Sequence, residues 1–446
     1  MSVPIHKLLQ GGSAVEISAS IEQGIRSGAL SPGDSLLTVR ALAEKLAVSP
    51  ATVAAAYKTL KGRGLVDARG RRGTRVSARP PIHAGLDSLR PELQKGVRDL
   101  AIGNPDPALL PDLGRALAKL DASPVLYGDP LVDPALERRS LKRFRADGIP
   151  AEHVCVVNGA MDGLERVLTA HLLPGDRVAI EDPAFVGVRD LLAALGLVAV
   201  PVAIDDAGPI PDALERALSS GVQAMIVTPR AQNPYGSALE PKRIAKLARI
   251  LAAHRDVLLC EDDHAGLVAG APARTLVDTR TRGRWAVVRS FSKSLGPDLR
   301  VALLAADPET TARVEGRQLL GIRWVSHLLQ RLVLAVWTDK AVQANLRRAA
   351  RTYTERRRGL IDALAAEGIE AHGRSGLNVW IPVPAEAPLL QSMLDRGWAL
   401  SGGDRFRLAA GPGLRVCIAT LTPADAKRFA VDFSQALQPP RRSGGA

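Results

Sequence analysis

Hydrophobic residues near the amino terminus recur with the period of a helix. Ile17, Ile21 and Ile25 are spaced four residues apart, which places them on one helical face. The spacing predicts a helix from about residue 14 to residue 27, with Gly28 as its carboxyl-terminal cap. The first predicted element of the chain is therefore an amphipathic helix.

A second and a third helix are predicted to follow. Thr38 can cap the second helix, which extends to about Leu46, and Ser49-Pro50 opens the third with a capping residue followed by proline. One face of the third helix is apolar, through Val53, Tyr57 and Leu60. Because only Ala47-Val48 separate the two helices, the pattern predicts a helix-turn-helix whose second helix enters a DNA major groove.

Residues 62–76 have the pattern of two short strands around a tip rich in glycine and arginine. Because it follows a helix-turn-helix, we interpret this hairpin as a basic wing that reaches backbone phosphates or a minor groove. The alternative is an ordinary hairpin with solvated arginines. Residues 1–77 are therefore predicted to form a winged helix-turn-helix domain.

Further along the chain, β-prone runs alternate with segments rich in alanine and leucine. The runs are residues 154–157, 177–180, 199–204, 224–228, 257–260, 286–289 and 301–305. This alternation predicts an α/β domain with a largely parallel sheet. After about Asp307, helical segments lead into a smaller α+β portion with a strand at 414–418 and a last helix from about Pro423. The proline-punctuated residues 78–98 are predicted to be a linker.

The distribution of charge indicates a nucleic-acid partner. The chain has 446 residues and a net charge of +13. Residues 1–80 hold 12 lysines and arginines against 5 acidic residues, so +7 of that charge lies in under a fifth of the chain. This concentration indicates a nucleic-acid-facing module on a nearly neutral body, with a solvated basic face as the alternative.

The cysteines and the longest apolar run argue against a secreted, a metal-binding and a membrane protein. Cys155, Cys260 and Cys417 lie in apolar runs without paired spacing, so we expect reduced core residues, no metal site and a cytoplasmic protein. Residues 191–204 form the longest apolar run, which contains Pro201 and is too short to span a bilayer. The chain opens without a signal-peptide pattern, and no membrane role is predicted.

The segment at residues 290–300 carries the most specific chemistry. Lys293 follows the apolar run 285–288, at a strand end where α/β sheets place their ligands. Partial desolvation and the neighbouring cation Arg300 are expected to make Lys293 a nucleophile toward an aldehyde. Ser290, Ser292 and Arg300 form a phosphate-binding set. The combination predicts pyridoxal 5'-phosphate (PLP) held as a Schiff base, and a basic surface loop is the alternative.

Other segments supply further parts of a cofactor site. Gly159 and Ala160 open a helix after a strand, so their amides can hold phosphate, although many such turns are rich in glycine. Asp262 ends a buried strand and needs a partner such as a protonated pyridine nitrogen, unless it belongs to a solvated acidic loop. By itself Phe185 fits core packing better than cofactor stacking, and Asn233 fits a structural turn equally well.

The amino-terminal segment resembles the GntR-type winged helix. The matching motifs are Gly28-x-Leu30-x-Pro32-Gly33, Arg40-x-Leu42-Ala43, Val48-Ser49-x-x-Thr52-Val53, Ala56-Tyr57-x-x-Leu60 and Gly73-Thr74-x-Val76. The chain departs from the family at Leu37, where proline is usual. The resemblance implies DNA contacts from Arg40, Ser49, Thr52, Lys58, Arg71, Arg72, Gly73 and Thr74.

Residues 99–438 resemble class I/II aminotransferases of the PLP fold type I group. The matches are Ile102-Gly103-x-Pro105-Asp106, Tyr127-Gly128-Asp129-Pro130, Asn233-Pro234-x-Gly236, Glu261-Asp262-Asp263 and the Lys293 segment. A winged helix, a linker, this domain and a disordered tail at 439–446 form the layout of the MocR family of bacterial regulators. The chain resembles that family from end to end.

The MocR resemblance implies a role for each matched residue. Lys293 is expected to be the catalytic residue and the covalent anchor, Asp262 to pair with the pyridine nitrogen, and Arg415 to bind a substrate carboxylate. Phe185 is expected to stack on the ring, and Asn233 and His264 to lie near its 3-oxygen. The expected phosphate contacts are Ser290, Ser292, Arg300, Gly159, Ala160 and, from the other subunit of a homodimer, Tyr127.

Three functions are compatible with these residues. The first is a transcriptional regulator that binds operator DNA and senses PLP or a PLP–amine adduct, with an amine or amino acid as a candidate effector. The second is a working aminotransferase with an appended DNA-binding arm, and a weaker third makes that arm a protein-interaction module. The family pattern is broken close to the chemistry, at His264, Tyr235 and residues 160–162, which favours the regulator and predicts weak or vestigial transamination.

Overall fold

The computed structural model describes residues 10–26, 29–31, 33–62, 65–68, 73–77, 93–278 and 283–437. The chain divides into two compact units, the first holding the amino-terminal helices and the second most of the chain from Leu93 onward. Each unit encloses its own cluster of buried apolar side chains. A separate core in each unit is what two independently packed domains require.

The first unit is a winged helix-turn-helix, as predicted. Its described elements are α1 (Ala14–Arg26), α2 (Val39–Leu46), α3 (Pro50–Gly62), β1 (Val66–Ala68) and β2 (Thr74–Val76). The two strands pair antiparallel as a hairpin. Gly28, the expected cap of α1, and Arg71 and Arg72 in the expected wing lie outside the described residues.

Capping and apolar packing explain why α2 and α3 form. The Thr38 hydroxyl accepts a hydrogen bond from the Ala41 backbone N–H at 3.3 Å, which confirms the predicted cap. The Tyr57 hydroxyl donates to the Leu37 carbonyl at 2.7 Å and so fixes the chain at the entry to α2. The core of the unit includes the predicted apolar positions, namely Ile17, Ile21, Leu42, Val53, Tyr57 and Leu60.

The second unit is built around an eight-stranded sheet. A short strand, β3 (Arg98–Asp99), precedes the strands of this sheet in the chain. In chain order they are β4 (Cys155–Val157), β5 (Arg177–Asp182), β6 (Val198–Asp205), β7 (Gly208–Pro209), β8 (Ala224–Val227), β9 (Leu258–Asp263), β10 (Trp285–Ser290) and β11 (Ala302–Ala306). Their spatial order is β4-β11-β10-β9-β8-β5-β6-β7.

The direction of the strands decides where side chains from distant segments meet. Strands β5, β8, β9 and β10 are parallel to one another. Strand β11 is antiparallel to both β10 and β4, so β4 points the same way as the other four. The carboxyl ends of these five strands and the amino end of β11 therefore share one edge of the sheet. The predicted α/β fold with a largely parallel sheet is confirmed.

Eleven α-helices are described in the second unit. They are α4 (Gly114–Leu117), α5 (Pro134–Ala146), α6 (Ala160–His171), α7 (Val186–Ala194), α8 (Pro211–Ser219), α9 (Pro241–Ala252), α10 (Pro308–Leu320), α11 (His327–Thr338), α12 (Lys340–Ala366), α13 (Glu386–Asp395) and α14 (Pro423–Leu437). Helix α6 contacts the central strands β9, β10 and β11. This contact covers one face of the apolar strands with a helix, as parallel sheets require.

The carboxyl-terminal portion is a smaller α+β structure, as predicted. It contains β12 (Asn378–Pro382), β13 (Trp398–Ala399), β14 (Ser401–Gly402) and β15 (Gly413–Cys417). Strands β12, β15 and β14 form an antiparallel sheet, and β13 pairs parallel with β3. Arg98, the last residue of the expected linker, is therefore held in a strand opposite Trp398 rather than in a connecting segment.

Cys155, Cys260 and Cys417 are buried, in agreement with their apolar neighbours in the sequence, and among the described residues none of them forms a disulfide. Over the described ranges, no helix is both long enough and apolar enough to cross a membrane. The same residues contain no group of three or more histidine, cysteine or acidic side chains arranged to hold a metal ion.

Candidate functional site

Lys293 lies just past the carboxyl end of β10, at the shared edge of the sheet. Its Nζ donates a hydrogen bond to the Gly103 carbonyl at 2.5 Å. Burial lowers the pKa of Lys293, and the charge of Arg415 lowers it further against an opposing effect of Cys417. The sequence predicted a depressed pKa from partial desolvation and from the charge of Arg300; the desolvation is confirmed, and the neighbouring cation is Arg415 rather than Arg300. Arg300 is exposed and donates to the Asn158 carbonyl at 3.0 Å.

The predicted phosphate-binding residues lie on neighbouring strands. Ser290 pairs with Ala302 and Ala302 with Val157, so the segments that follow or precede these residues lie side by side. The Ser290 hydroxyl accepts from the Ser292 backbone N–H at 3.1 Å. Helix α6 begins at Ala160 without a side-chain cap, which leaves amide groups at its amino end to bind an anion.

Gly159 shows how closely this group is packed. Its φ of +91° is left-handed, and a Cβ at this position would lie 2.7 Å from Nη2 of Arg300. Only glycine therefore lets the Arg300 guanidinium approach the start of α6. The structure brings Gly159 and Arg300 together, on segments next in strand order to the one that carries Ser290 and Ser292, and we call this pair of residues the Gly159–Arg300 cradle.

Asp262 is a buried carboxyl group without a full set of partners. Its Oδ1 has no hydrogen-bond partner among the described residues. Burial and the neighbouring charge of Asp263 raise the pKa of Asp262 to about 7. A cationic N–H group placed at Oδ1 would supply both the missing hydrogen bond and the missing charge.

His264 follows Asp262 on the same strand end and is uncharged at neutral pH. Burial, with the nearby charge of Lys293, lowers the pKa of His264 to about 4. Its imidazole can therefore offer one donor and one acceptor to a neighbouring oxygen. The sequence placed His264 near the 3-oxygen of a cofactor ring, and its neutrality is compatible with that contact.

Arg415 links the smaller portion to the sheet edge. It lies on β15, where its Nη1 donates to Oδ1 of Asn233 at 3.2 Å and its Nη2 donates to the Ala101 carbonyl. The guanidinium lies over the ring of Phe406 at 4.9 Å, and burial lowers the pKa of Arg415 to about 10. Its Nε has no acceptor within the part of the chain that the structure describes. The guanidinium remains charged at neutral pH and can accept another anionic partner.

Phe185 and Tyr127 are placed differently from each other. Phe185 is half-buried between β5 and α7, at the sheet edge that also holds Asp262. Tyr127 is 80% exposed, packs edge to face on Trp324 at 5.5 Å and lies beneath the Arg323 guanidinium. The structure brings Phe185 to the site edge but leaves Tyr127 on the surface of the chain.

The predicted DNA-contacting side chains lie on the accessible side of the first unit. Arg40, Ser49 and Lys58 are exposed, and Thr52 is half-buried. The Ser49 and Thr52 hydroxyls lie 2.8 Å apart at the start of α3, the helix predicted to enter the major groove. Gly73 and Thr74 lie at the start of β2, and the two wing arginines are outside the described ranges.

The sequence did not predict two residues that support the site without being assigned a cofactor contact. Asp182 accepts backbone N–H groups of Leu408, Ala409 and Ala410, each at 2.7 Å, and so holds in place the segment that carries Phe406. An acidic residue at the end of a buried strand was a usable signal for such a role. Phe406 gave no comparable signal, because it lies in an irregular segment without periodicity.

Comparison with known families agrees with both units. Residues 13–76 match the model of bacterial regulatory proteins of the gntR family, and residues 95–433 match the model of aminotransferases class I and II. The solved structure of LysN, an α-aminoadipate aminotransferase from Thermus thermophilus, is similar with a TM-score of 0.68 and 25% identity. That match covers 80% of this chain and 95% of LysN, which was crystallised with N-(5'-phosphopyridoxyl)-L-leucine.

Full-length relatives join the same two units. The vitamin B6 salvage pathway transcriptional repressor PtsJ of Salmonella typhimurium is 41% identical over 96% of this chain and 100% of its own length. The probable rhizopine catabolism regulatory protein MocR of Rhizobium meliloti is 26% identical over 92% of this chain and 86% of its own. Both relatives are therefore similar across the winged helix as well as the larger domain.

Together the winged helix and the lysine-bearing sheet edge define a GntR-type regulator with an aminotransferase class I/II domain. Within that class, the chain belongs to the MocR family. The family and the fold type I architecture predicted from the motifs are confirmed.

The buried carboxyl of Asp262 predicts a specific pH dependence of stability. Because folding raises its pKa, Asp262 stabilises the fold below its ordinary pKa, and that contribution is lost as pH rises toward 7. We expect Asp262→Asn to stabilise the cofactor-free protein at pH 8 relative to wild type by about 2 kcal/mol more than at pH 4. Urea unfolding at the two pH values measures the difference.

The exposed Asp298→Asn is a matched control, and it should leave the difference between the two pH values unchanged. An equal effect of Asp262→Asn at both pH values would show that Asp262 ionises normally in the folded protein.

Proposed function

We propose that this chain is a transcriptional regulator that binds operator DNA through its winged helix and senses PLP through its aminotransferase-like domain. The observation that carries the proposal is a half-buried lysine beside a buried aspartate whose Oδ1 has no partner among the described residues, in a chain that also has a complete helix-turn-helix. Because it binds DNA, we also propose that the protein acts in the cytoplasm. Relatives support the proposal, since PtsJ is a repressor of vitamin B6 salvage.

The residues at the sheet edge fit PLP in chemistry and in number. Lys293 supplies an amine whose lowered pKa favours the nucleophilic neutral form. Asp262 has an oxygen to spare for the pyridine nitrogen, and the Gly159–Arg300 cradle suits the phosphate. PLP, when bound, supplies an aldehyde and an electron-withdrawing ring.

We assign the remaining contacts by position. Phe185 stacks on the ring, and Asn233 and His264 lie near its 3-oxygen. The phosphate is held by Ser290, Ser292, Arg300, Gly159 and Ala160. Ala160 contributes a backbone amide, so its departure from the polar residues usual in the family does not remove the contact.

Arg415 points to the chemical class of the effector. A buried arginine with a free Nε suits a carboxylate, which it can bind with two parallel hydrogen bonds. The effector is therefore an amino acid or another amine that carries a carboxylate. Such a ligand competes with Asn233 and Ala101, the groups that Arg415 contacts in this structure.

A homodimer completes the site. Leu126, Tyr127, Leu320 and Ile322 form an apolar patch, and each of these side chains is at least 50% exposed. Contacts of Tyr127 with Arg323 and Trp324 connect the two parts of the patch. An exposed patch of large apolar side chains is typical of an interface, and a second copy of the chain is the proposed occupant. In that dimer Tyr127 reaches the phosphate of the partner's cofactor.

Transamination is the second candidate function, because Lys293 and Arg415 are both present in the same site. Formation of a 2-oxo acid from an amino acid, with stoichiometric amination of a second 2-oxo acid, would establish it. A spectral change without product would favour sensing alone.

Lys293→Ala tests the cofactor and its link to DNA binding. Wild type with PLP should show a visible absorption band that borohydride removes irreversibly, and Lys293→Ala should lack the band because it has no amine to bond the aldehyde. PLP should change the affinity of wild type for its operator by about 5-fold or more and leave that of Lys293→Ala unchanged. Absorbance and fluorescence anisotropy measure the two effects.

Lys427→Ala, an exposed lysine on α14, serves as the control and should retain both responses. A colourless wild-type protein would end the PLP proposal and leave the DNA-binding proposal standing.

Lys58→Ala tests the assignment of α3 to the DNA interface. Loss of one phosphate contact should weaken binding to all DNA sequences and reduce the slope of log affinity against log salt by about 1. Anisotropy titrations between low and moderate salt measure the slope. An unchanged slope, with Lys427→Ala as reference, would place Lys58 away from the phosphates.

Mixed dimers test whether Tyr127 acts on its partner. In a dimer of one Tyr127→Ala chain and one Lys293→Ala chain, action across the interface puts both defects in one site and leaves the other intact. We therefore expect PLP binding of wild-type affinity at half the sites, measured on tagged and separated mixed dimers. Weak binding at every site would mean that Tyr127 serves its own chain.

A further inference from the structure

A buried ionic cluster lies next to the proposed cofactor site, on the other side of β9. Successive residues of a strand point to opposite faces, so Asp263 faces away from Asp262. Its Oδ1 accepts from Nε of Arg230 at 2.8 Å, and its Oδ2 accepts from Nη2 of Arg230 and Nε of Arg289, each at 2.7 Å. The Gly266 backbone N–H donates to Oδ1 at 3.2 Å. Asp263 is thus bound by donors from three separate segments.

Positive and negative groups alternate through this cluster. Arg289 also donates from Nη1 to Asp147 at 2.7 Å, and the same carboxylate pairs with Arg143 at 3.0 Å. Asp263, Arg230 and Arg289 are each no more than 5% exposed. Burial opposes ionisation of Asp263, but the charges of Arg230 and Arg289 outweigh it and hold the pKa of Asp263 well below its usual range. Buried charges persist only with such partners.

Asp263, Arg230 and Arg289 each belong to a segment that carries a proposed cofactor contact. Asp263 lies between Asp262 and His264, and Arg230 lies three residues before Asn233. Arg289 directly precedes Ser290 and pairs with Asp263 in the parallel register of β9 and β10. One carboxylate therefore ties together the ends of β8, β9 and β10. No part of the proposed cofactor chemistry uses it directly.

We propose that Asp263 is a positioning residue of the cofactor site, which fixes three strand ends and places a permanent negative charge behind Asp262. The inference rests on the proposed PLP site. A negative charge behind Asp262 favours the protonated form of a pyridine nitrogen that is bound to Asp262. It also favours the protonated form of the nitrogen that would join Lys293 to the cofactor. The other ionisable groups that act on Lys293 are Cys417 and Arg415, and His264 lies close to it. The buried carboxyl group of Glu181 interacts with Asp262.

Two substitutions of opposite charge effect separate this role from a purely structural one. Asp263→Asn keeps the shape of the side chain and removes a negative charge, so the pH at which the visible band of the PLP-loaded full chain titrates should fall by about one unit. Arg289→Met removes a positive charge from the same cluster, so that pH should rise. A loss of packing alone does not reverse sign between the two variants.

The PLP dissociation constant reports the positioning effect separately. Either substitution should raise it about tenfold, because the strand ends lose a shared anchor. The double variant Asp263→Asn/Arg289→Met restores the local charge balance, so its titration should return toward wild type while its affinity stays low. Asp205→Asn is the control, since Asp205 forms a similar two-contact pair with Arg243 at the far end of the sheet, and it should change neither quantity.

The outcomes decide between the proposals. If wild type shows no visible band with PLP, the proposed cofactor site is wrong and this inference falls with it. If wild type shows the band and both variants titrate as wild type does, the positioning role of Asp263 is overturned while the cofactor site stands. Should Asp263→Asn not fold, Arg289→Met alone decides, because an unchanged titration in that variant contradicts the proposed charge effect.

Discussion

The edge shared by five parallel strand ends and the start of β11 is the constraint on which the rest of the structure depends. It forces polar and ionised side chains into a region that apolar strands and helices surround. An ionisable group in such a region is paired with an opposite charge, has a shifted pKa, or lacks a hydrogen-bond partner until a ligand binds. Asp263 is paired with arginines, and the pKa values of Lys293 and His264 are lowered. Asp262 lacks a hydrogen-bond partner at Oδ1 among the described residues, and that oxygen indicates where a ligand binds.

The fold was largely predictable from the sequence because its signals are local. Helical spacing of Ile17 and Ile21, the cap at Thr38 and the alternation of apolar runs all report on neighbouring residues. The expected strands appear at the predicted places, with shifts of at most three residues at their ends. The assignment of Arg98 to the linker failed because its pairing partner, Trp398, lies 300 residues away in the chain. No local pattern reports such a contact.

The sequence predicted several residues that meet at the sheet edge, but it did not predict which charges act on them. Arg300 stands seven residues from Lys293 in the sequence, so it was the natural choice as the neighbouring cation, yet its left-handed backbone turns it toward Asn158. Arg415 acts on Lys293 instead, from a strand of the smaller portion. The partners of Asp263 were missed for the same reason, since Arg230 and Arg289 meet it only through the strand order. The roles of the site residues in cofactor and DNA binding remain predictions.

Strand β3 gives Arg415 a mechanical connection to the start of the larger domain. Arg98 and Asp99 pair with β13, the Cys417 N–H donates to the Leu100 carbonyl, and the Ala101 carbonyl accepts from Arg415. Residues 98–101 therefore run alongside β13 and the end of β15, the strand that carries this arginine. A ligand that draws Arg415 away from Ala101 detaches it from a point three residues past Arg98. In the proposed regulator, a carboxylate bound to Arg415 would therefore act on residues 99–101, the segment that directly follows the predicted linker in the sequence.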